Sequence, residues 1–230
     1  MSAAATLALA TRRKRGFDLV LAAGGLVLLA PLFALMALAI KLDSPGPVFF
    51  RQQRVGRGGR PFRIHKLRTM VDGAAGRGLS LTLAHDARIT RVGAVLRRYR
   101  LDELAQLIDV LQGTMSLVGP RPELPRYVAH YPAELREALL AVRPGITDPA
   151  ALAFRDEARL LAAEPDPERA YIERVLPAKL RLSAEYSAHA SFGSDLRVLW
   201  RSLAALAGRA APATPAAPAA PAAPGRRDAP

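Results

Sequence analysis

LVLAAGGLVLLAPLFALMALAI, residues 19–40, is a run of 22 residues without a charge. It lies between Arg12-Arg13-Lys14-Arg15 and Lys41. As a straight helix it would cover ~33 Å, enough to cross the hydrocarbon of a bilayer. Pro31 falls inside it, where a missing N–H and a bulky ring bend a helix, so its expected role is structural. Both flanks are basic: four cations before, then Lys41 and seven Lys/Arg at positions 51–68. Cations favour the cytoplasmic side, so a straight span would force one cluster across. A re-entrant hairpin keeps both on one side, its first arm, Leu19–Ala30, reaching ~18 Å. The alternatives are a true span, a cleaved leader and a buried core helix, for which the segment is long. The leader has a basic start and Ala37-Leu38-Ala39 in its favour, but the apolar stretch is long for one.

Outside this segment the chain carries an uneven charge. Of 230 residues, 33 are Lys or Arg and 20 are Asp or Glu, a net charge of +13. Residues 51–100 hold 13 basic residues and two acids, Asp72 and Asp86, so the excess is local. Its cations alternate with Val, Phe and Ile, as on a folded surface facing an anion. Anionic lipid, nucleic acid and phosphorylated substrates are the partners such a surface fits. No Cys is present, which excludes disulfides, thiolate metal sites and Cys nucleophiles. His65, His85, His130 and His189 show no zinc spacing. A 50% hydrophobic content is too high for a disordered polycation.

The rest divides by turn signals and periodicity. Ser44-Pro45-Gly46-Pro47 is a turn, Val48-Phe49-Phe50 starts a strand, Gln52 to Gly59 reads as a hairpin turn and Pro61 to Leu67 as the return strand. Residues 72–80 read as a loop that makes neither GxGxxG nor a P-loop. Gly93 to Arg100 looks helical. Leu101 to Gln112 predicts a second helix, with Leu101, Leu104, Leu107, Ile108 and Leu111 on one face and Gly113 ending it. Glu134–Ala141, Glu168–Tyr186 (interrupted by Pro177) and Ser194–Ala207 are further helices. In the last, Leu196, Leu199, Trp200, Leu203 and Leu206 form a stripe beside Arg197 and Arg201. Such a stripe packs a core or lies in a headgroup layer. Residues 208–230 are an Ala/Pro tail expected to be disordered or polyproline-like.

The densest chemistry lies between Arg97 and Pro122. Arg97, Arg98 and Arg100 precede Asp102-Glu103, and Gly119-Pro120-Arg121-Pro122 follows. Acids in a first helical turn ordinarily cap it and complement its dipole. Here arginines surround the pair, as at a phosphate site, and Arg121 sits between two prolines, a rigid mount for a two-point phosphate contact. Metal-assisted phosphoryl transfer needs a nucleophilic oxygen, a divalent cation, fixed cations and a proton handler. Asp102, Glu103, Arg121, Lys66, Arg68 and Arg98 suffice in type. Mg²⁺ takes one or two carboxylates plus phosphate oxygens.

At these residues the chain closely resembles the bacterial sugar transferases, the monotopic polyprenyl-phosphate phosphoglycosyl transferases. Four blocks carry the resemblance: Lys14-Arg15-Gly16-Phe17-Asp18 leading into the proline-broken helix; Ser44 to Gln52 with Arg54-Val55-Gly56 and Phe62 to Met70; Leu101-Asp102-Glu103-Leu104-Ala105-Gln106-Leu107 through Ser116-Leu117-Val118-Gly119-Pro120-Arg121-Pro122; and Arg143-Pro144-Gly145-Ile146-Thr147. They run from about residue 12 to 205. The resemblance implies transfer of sugar-1-phosphate from a UDP-sugar to undecaprenyl phosphate, with release of UMP, in exopolysaccharide, capsule, O-antigen or glycoprotein glycan synthesis. It implies that Asp102 is the nucleophile of a covalent phosphosugar intermediate and contributes to holding Mg²⁺. Glu103 would be the partner acid or base, Arg121 would grip phosphate, and the helix would be re-entrant.

Three departures stand out: Ala30 where many members carry Ser, Thr114 where an acid is common, and Asp148-Pro149-Ala150-Ala151 where Gly-Trp-Ala-Gln is common. No large multi-span region precedes the basic run, so the minimal catalytic form is expected.

The expected fold is α/β or α+β, mainly helical with a small β-hairpin element, an N-terminal re-entrant membrane helix and interfacial amphipathic helices. The expected division is an N-terminal tail (1–11), the re-entrant helix (12–41), the catalytic domain (42–207) and the Ala/Pro tail (208–230). The expected location is the bacterial inner membrane, with the catalytic domain on the cytoplasmic face. Expected partners are the UDP-sugar, undecaprenyl phosphate and membrane lipids, with room for downstream glycosyltransferases and a second copy of the chain, and no nucleic acid. A membrane-anchored nucleotide-sugar hydrolase and a basic lipid- or nucleic-acid-binding module are the competing readings.

Overall fold

The computed structural model describes residues 3–74, 81–83, 86–206 and 208. The loop expected over 72–80 is described only through residue 74, and the expected Ala/Pro tail lies, Gly208 apart, outside the described residues.

The apolar segment forms two helices, α1 (Ala3–Leu28) and α2 (Ala30–Asp43), bent by 60°. Helix α1 runs back through the basic cluster and past residue 12, so the expected boundary at the tail is not a helix boundary. Leu29 breaks the pair and Pro31 occupies the first turn of α2, where a missing N–H leaves no bond unmade. Among the described residues no single helix is long and apolar enough to cross a membrane; Arg12–Leu28 and Ala30–Asp43 reach that length and composition only together.

The hairpin forms as expected, but its strands are longer. Strand β1 (Phe49–Val55) pairs antiparallel with β2 (Pro61–Leu67), and the tip is confined to residues 56–60. The register places Phe50 opposite Lys66 and Arg51 opposite His65. Helix α3 (Arg91–Arg98) packs against α2 and against Thr69, just beyond β2; a Cβ on Gly93 would meet the Thr69 backbone, so glycine is required there. Residues 101–112 are a single α-helix in the sequence reading and two pieces in the structure. A 3₁₀ segment, Leu101–Gln106, leads into α4 (Leu107–Gln112), which Gly113 ends at φ 82°.

A parallel pair absent from the sequence reading, β3 (Ser116–Val118) and β4 (Gly145–Thr147), joins the third and fourth sequence blocks. The Gly119 N–H donates to the Thr147 carbonyl at 3.1 Å and the Gly145 N–H to the Pro120 carbonyl at 2.9 Å. A Cβ on Gly119 would lie 2.6 Å from the Arg143 carbonyl oxygen. Only glycine permits this crossing.

Between these strands lie α5 (Pro125–Val128) and α6 (Ala133–Ala141). After β4 come α7 (Pro149–Ala153), α8 (Glu157–Ala162) and α9 (Pro167–Ala170). A π-turn, Tyr171–Val175, then runs into α10 (Leu176–Ala188), and α11 (Phe192–Leu206) follows. One core joins Ala22 of α1 to Ile64, Val110, Met115, Leu117 and Val198. Another packs Tyr127, Leu139, Tyr171 and Leu180. Helix α1 is also fastened by polar contacts: Ser116 Oγ donates to Asp18 at 2.7 Å, Lys14 pairs with Asp195, and Arg15 donates to the Leu111 carbonyl at 3.3 Å. The proline-bent pair is thereby docked on the fold that carries Asp102.

Candidate active site

The 3₁₀ segment turns its acids inward. Asp102 is 7% exposed and Glu103 is buried, while Leu101, Leu104, Leu107 and Ile108 are only half-buried and Leu111 is exposed. The leucine face is therefore the less buried one, because β2 supplies polar partners for the other. The turn is entered through Arg100, the one non-glycine residue with positive φ (53°) among those described. A left-handed arginine is strained, by roughly 1 kcal/mol or more. Its guanidinium is tied to the Arg155 carbonyl at 3.0 Å.

Glu103 is the hub of the cluster. Lys66 Nζ donates to its Oε1 at 2.9 Å. Arg121 grips both oxygens, with Nη1 at 3.0 Å from Oε2 and Nη2 bound to Oε1. Arg100 Nη1 lies 3.9 Å from Oε2. Burial alone would raise the pKa of this carboxyl, but Arg121, Lys66 and Arg100 outweigh it and hold it well below the usual glutamate range. Arg121 is aimed by its own Nη1–H to the Ile146 carbonyl at 3.1 Å on β4. The same carboxylate makes Arg121 a firmer cation, while burial pushes the Lys66 ammonium down.

Asp102 has the opposite environment. Among the described residues its carboxylate accepts no hydrogen bond, and burial pushes its pKa up. Lys66, Arg97 and Arg121 oppose that rise and Glu103 adds to it. Two adjacent carboxylates are thus differentiated: one clamped by cations, one desolvated with its oxygens uncommitted.

Of the residues singled out in the sequence, Asp102, Glu103, Lys66 and Arg121 converge. Arg68 and Arg98 do not. The Arg68 guanidinium closes the turn after α2, donating to the carbonyls of Pro45 and, at 2.7 Å, Ser44. Arg98 is exposed, 5.7 Å from the Tyr99 ring centre. Arg97 takes the place expected of Arg98: it is half-buried, bonds Thr69 Oγ1 at 3.3 Å and acts on Asp102. One helical position separates the two arginines, and only the packing of α3 against Thr69 chooses between them.

Sequence reasoning also missed the supports. Asp109 accepts from the His65 backbone N–H at 2.8 Å and meets His65 Nδ1 at 2.7 Å, fixing α4 to β2. Glu103 of the 3₁₀ segment and Asp109 of α4 are thus both bonded to β2, through Lys66 and His65. Gln106 is 1% exposed, and neither amide atom has a partner among the described residues. Behind Arg121, Arg54 Nη1 donates to the Pro122 carbonyl at 3.0 Å and the Val55 N–H to the Glu123 carbonyl at 3.0 Å. Buried Glu123 accepts from Tyr171 Oη at 2.7 Å and lies 3.6 Å from Lys179, which also bonds Glu157 at 2.9 Å. This network fixes the segment that carries Arg121. The departures have local roles: Thr114 Oγ1 bonds the Asp109 carbonyl at 3.1 Å, and buried Asp148 caps α7 through the Ala151 N–H at 2.7 Å.

Among the described residues no three Asp, Glu or His side chains gather into a set that could hold a cation alone. A donor set of one free carboxylate, Asp102, still suits Mg²⁺ shared with substrate phosphates.

The sequence profile of the bacterial sugar transferase family matches residues 9–209, nearly the whole chain. The chain belongs to the bacterial sugar transferase family. Relatives of the chain include the UDP-glucose:undecaprenyl-phosphate glucose-1-phosphate transferase of Caulobacter vibrioides, 51% identical over 59% of this chain and 51% of that protein. The UDP-N-acetylgalactosamine-undecaprenyl-phosphate N-acetylgalactosaminephosphotransferase of Aeromonas hydrophila is 46% identical over 58% of this chain and 32% of its own length. The putative undecaprenyl-phosphate N-acetylgalactosaminyl 1-phosphate transferase of Bacillus subtilis is 43% identical over 53% of this chain and 68% of its own. The chain thus spans about half the Caulobacter relative and a third of the Aeromonas one.

Proposed function

We propose that this bacterial sugar transferase moves sugar-1-phosphate from a UDP-sugar to undecaprenyl phosphate and releases UMP, in exopolysaccharide or related glycan synthesis. The observation that carries the reading is the divided carboxylate pair: Asp102 desolvated and uncommitted, Glu103 held by the cations that a diphosphate would need. Ionised Asp102 attacks the phosphorus that bears the sugar, the bond to the UMP phosphate breaks, and UMP leaves with the electron pair. An oxygen of the lipid phosphate then attacks the same phosphorus and Asp102 leaves as carboxylate. Arg121 and Lys66 balance charge on the phosphoryl oxygens.

Glu103 stands in for the substrate's phosphate in the free protein. When the diphosphate takes Arg121 and Lys66, Glu103 loses the cations that depress it and becomes a base able to take the proton of the lipid phosphate. Mg²⁺, with Asp102 as its protein ligand, would neutralise the diphosphate oxygens.

The bent pair α1–α2 is read as a re-entrant insertion into the inner membrane. The 60° break at Leu29–Pro31 and the basic residues beyond both ends support it. The catalytic fold then lies on the cytoplasmic face. The chain lacks Cys, so single cysteines at Ala5 and at exposed Arg57 of the hairpin tip test topology directly. Both should label from the cytoplasmic side; labelling from opposite sides would establish a span.

For activity, purified protein is given labelled UDP-glucose or UDP-N-acetylgalactosamine with and without polyprenyl phosphate. UMP release with labelled lipid product is expected. Sugar-phosphate release indifferent to lipid would establish a hydrolase instead.

A further inference from the structure

Lys179 of α10 is a buried ammonium that no step above uses. It lies between two acids, with Nζ 3.6 Å from Glu123 and 2.9 Å from Glu157. Arg54 Nη1, 3.7 Å from Glu123 Oε2, extends the row to Arg54–Glu123–Lys179–Glu157, in which cations and acids alternate. The row has one open end. The Glu157 side chain, at the start of α8, is 33% exposed, against 9% for Glu123 and 8% for Lys179. Its Oε2 takes the bond from Lys179, and its Oε1 accepts no hydrogen bond among the described residues.

That open end emerges beside the cations of the candidate active site. Glu123 follows Arg121 by two residues. Arg100, 3.9 Å from Glu103, holds the Arg155 carbonyl at 3.0 Å and so ties the acidic turn to the segment that enters α8. Glu157 also acts on Arg121 itself: burial would lower the pKa of that guanidinium, Glu103 outweighs burial, and Glu157 and Glu123 add to the rise.

We propose that Glu157 is a donor-recognition residue, its uncommitted carboxylate oxygen accepting hydroxyl groups of the bound UDP-sugar; the inference rests on the transferase reading given above. An acid beside a diphosphate site repels the diphosphate, and the ammonium that aims it has lost its water. Both costs are offset by bonds that only a hydroxyl-bearing ligand makes, because hydroxyl hydrogens are the part of a nucleotide-sugar that a carboxylate attracts and such bonds are charge-assisted. A fixed acid recognises ribose hydroxyls in the same way at dinucleotide sites. In a UDP-sugar the ribose and the transferred sugar flank the diphosphate, and both carry this chemistry.

The test is calorimetric. Glu157→Gln is compared with its parent, both carrying Asp102→Asn to stop chemistry, and the probes are UDP-glucose, UDP-N-acetylgalactosamine, UDP and inorganic pyrophosphate, each with Mg²⁺. The UDP-sugars should bind more weakly by roughly tenfold or more. Pyrophosphate has no hydroxyl and should bind as well or more tightly, since an acid has left the field of Arg121. A loss shared by UDP assigns the hydroxyls to the ribose; a loss confined to the UDP-sugars assigns them to the transferred sugar. Because Glu157→Gln takes a partner from buried Lys179, Glu157→Gln/Lys179→Met, which removes both members of the pair, is measured beside it and should show the same loss. Where the single variant does not melt cooperatively, the double variant decides.

Unchanged or tighter binding of both UDP-sugars would overturn the proposal and leave Glu157 as the partner of Lys179 alone. Weaker binding of pyrophosphate would place Glu157 on the cation that accompanies the diphosphate and overturn it as well. Wild-type protein that neither binds nor turns over either UDP-sugar would overturn the transferase reading together with it.

Discussion

Replacing Glu103 by glutamine separates the two jobs assigned to that residue. In the free protein Glu103 accepts three charge-assisted hydrogen bonds, one from Lys66 and two from Arg121. A donor diphosphate must displace them. Hydrogen bonds to charged groups contribute ~1.5–3 kcal/mol each net. If removing the competitor releases the equivalent of one, donor affinity rises by roughly tenfold or more. The same change removes the counter-charge of two cations. Breaking a buried pair costs ~3–5 kcal/mol, but Lys66 and Arg121 are half-buried and regain some water, so a loss of ~1–3 kcal/mol of stability is expected. That loss shrinks in acid. A carboxyl with a depressed folded pKa stabilises above its unfolded pKa and ceases to do so as pH falls through the folded value.

The assay is calorimetric binding of UDP-sugar without lipid acceptor. Asp102→Asn is present in both proteins to stop chemistry, and thermal melts confirm folding. Tighter donor binding with lost turnover in the otherwise active Glu103→Gln protein is predicted. Unchanged or weaker binding by a variant that still melts cooperatively would refute the displacement argument.

Further expectations follow from the same geometry. Asp102 must be ionised to attack and its pKa is raised, so the acid limb of kcat/KM should lie above the ordinary aspartate value; Lys66→Met should move it higher still, because Lys66 opposes the rise. An acid limb that does not move would remove Lys66 from the field on Asp102. Arg121→Lys should lower kcat/KM by ~10²-fold or more, since an ammonium cannot reproduce a two-point grip held by the Ile146 carbonyl; steady-state kinetics near wild type would place the phosphate elsewhere. Gly145→Ala would bring a Cβ within 2.5 Å of the Gly119 carbonyl oxygen and should destabilise the protein by ~1–3 kcal/mol, read as a lower melting temperature. An unchanged melting temperature would mean that the β3–β4 crossing can relax.

The local elements were legible because their signals are local. Pro31 within an apolar run predicted the bend, the turn residues at 44–47 and 52–59 a hairpin whose tip proved shorter, and Gly113 the end of α4. What depended on distant partners was not. The leucine periodicity of 101–112 predicted one apolar face, but not that β2 offers Lys66 to Glu103 and His65 to Asp109, nor that Asp102, Glu103, Gln106 and Asp109 are the buried residues. The β3–β4 pair needed three residues from each of two segments far apart in sequence, too short for a periodic signal. Within the candidate site, Asp102, Glu103, Lys66 and Arg121 could be chosen by residue type and motif. Arg68, Arg97 and Arg98 could not be ranked, because guanidinium chemistry is identical in all three and only the packed fold assigns their directions. The Glu123–Tyr171–Lys179 network lay outside every motif and became visible only with the π-turn that presents Tyr171.

The most direct measurement is intact-mass and peptide-mapping spectrometry of the protein quenched after exposure to UDP-sugar in the absence of lipid phosphate. A phosphosugar on the peptide that contains Asp102, lost in Asp102→Asn and discharged by added polyprenyl phosphate, is predicted. Stoichiometric transfer to lipid with no such adduct ever trapped, or an adduct on a different residue, would contradict the role given to Asp102.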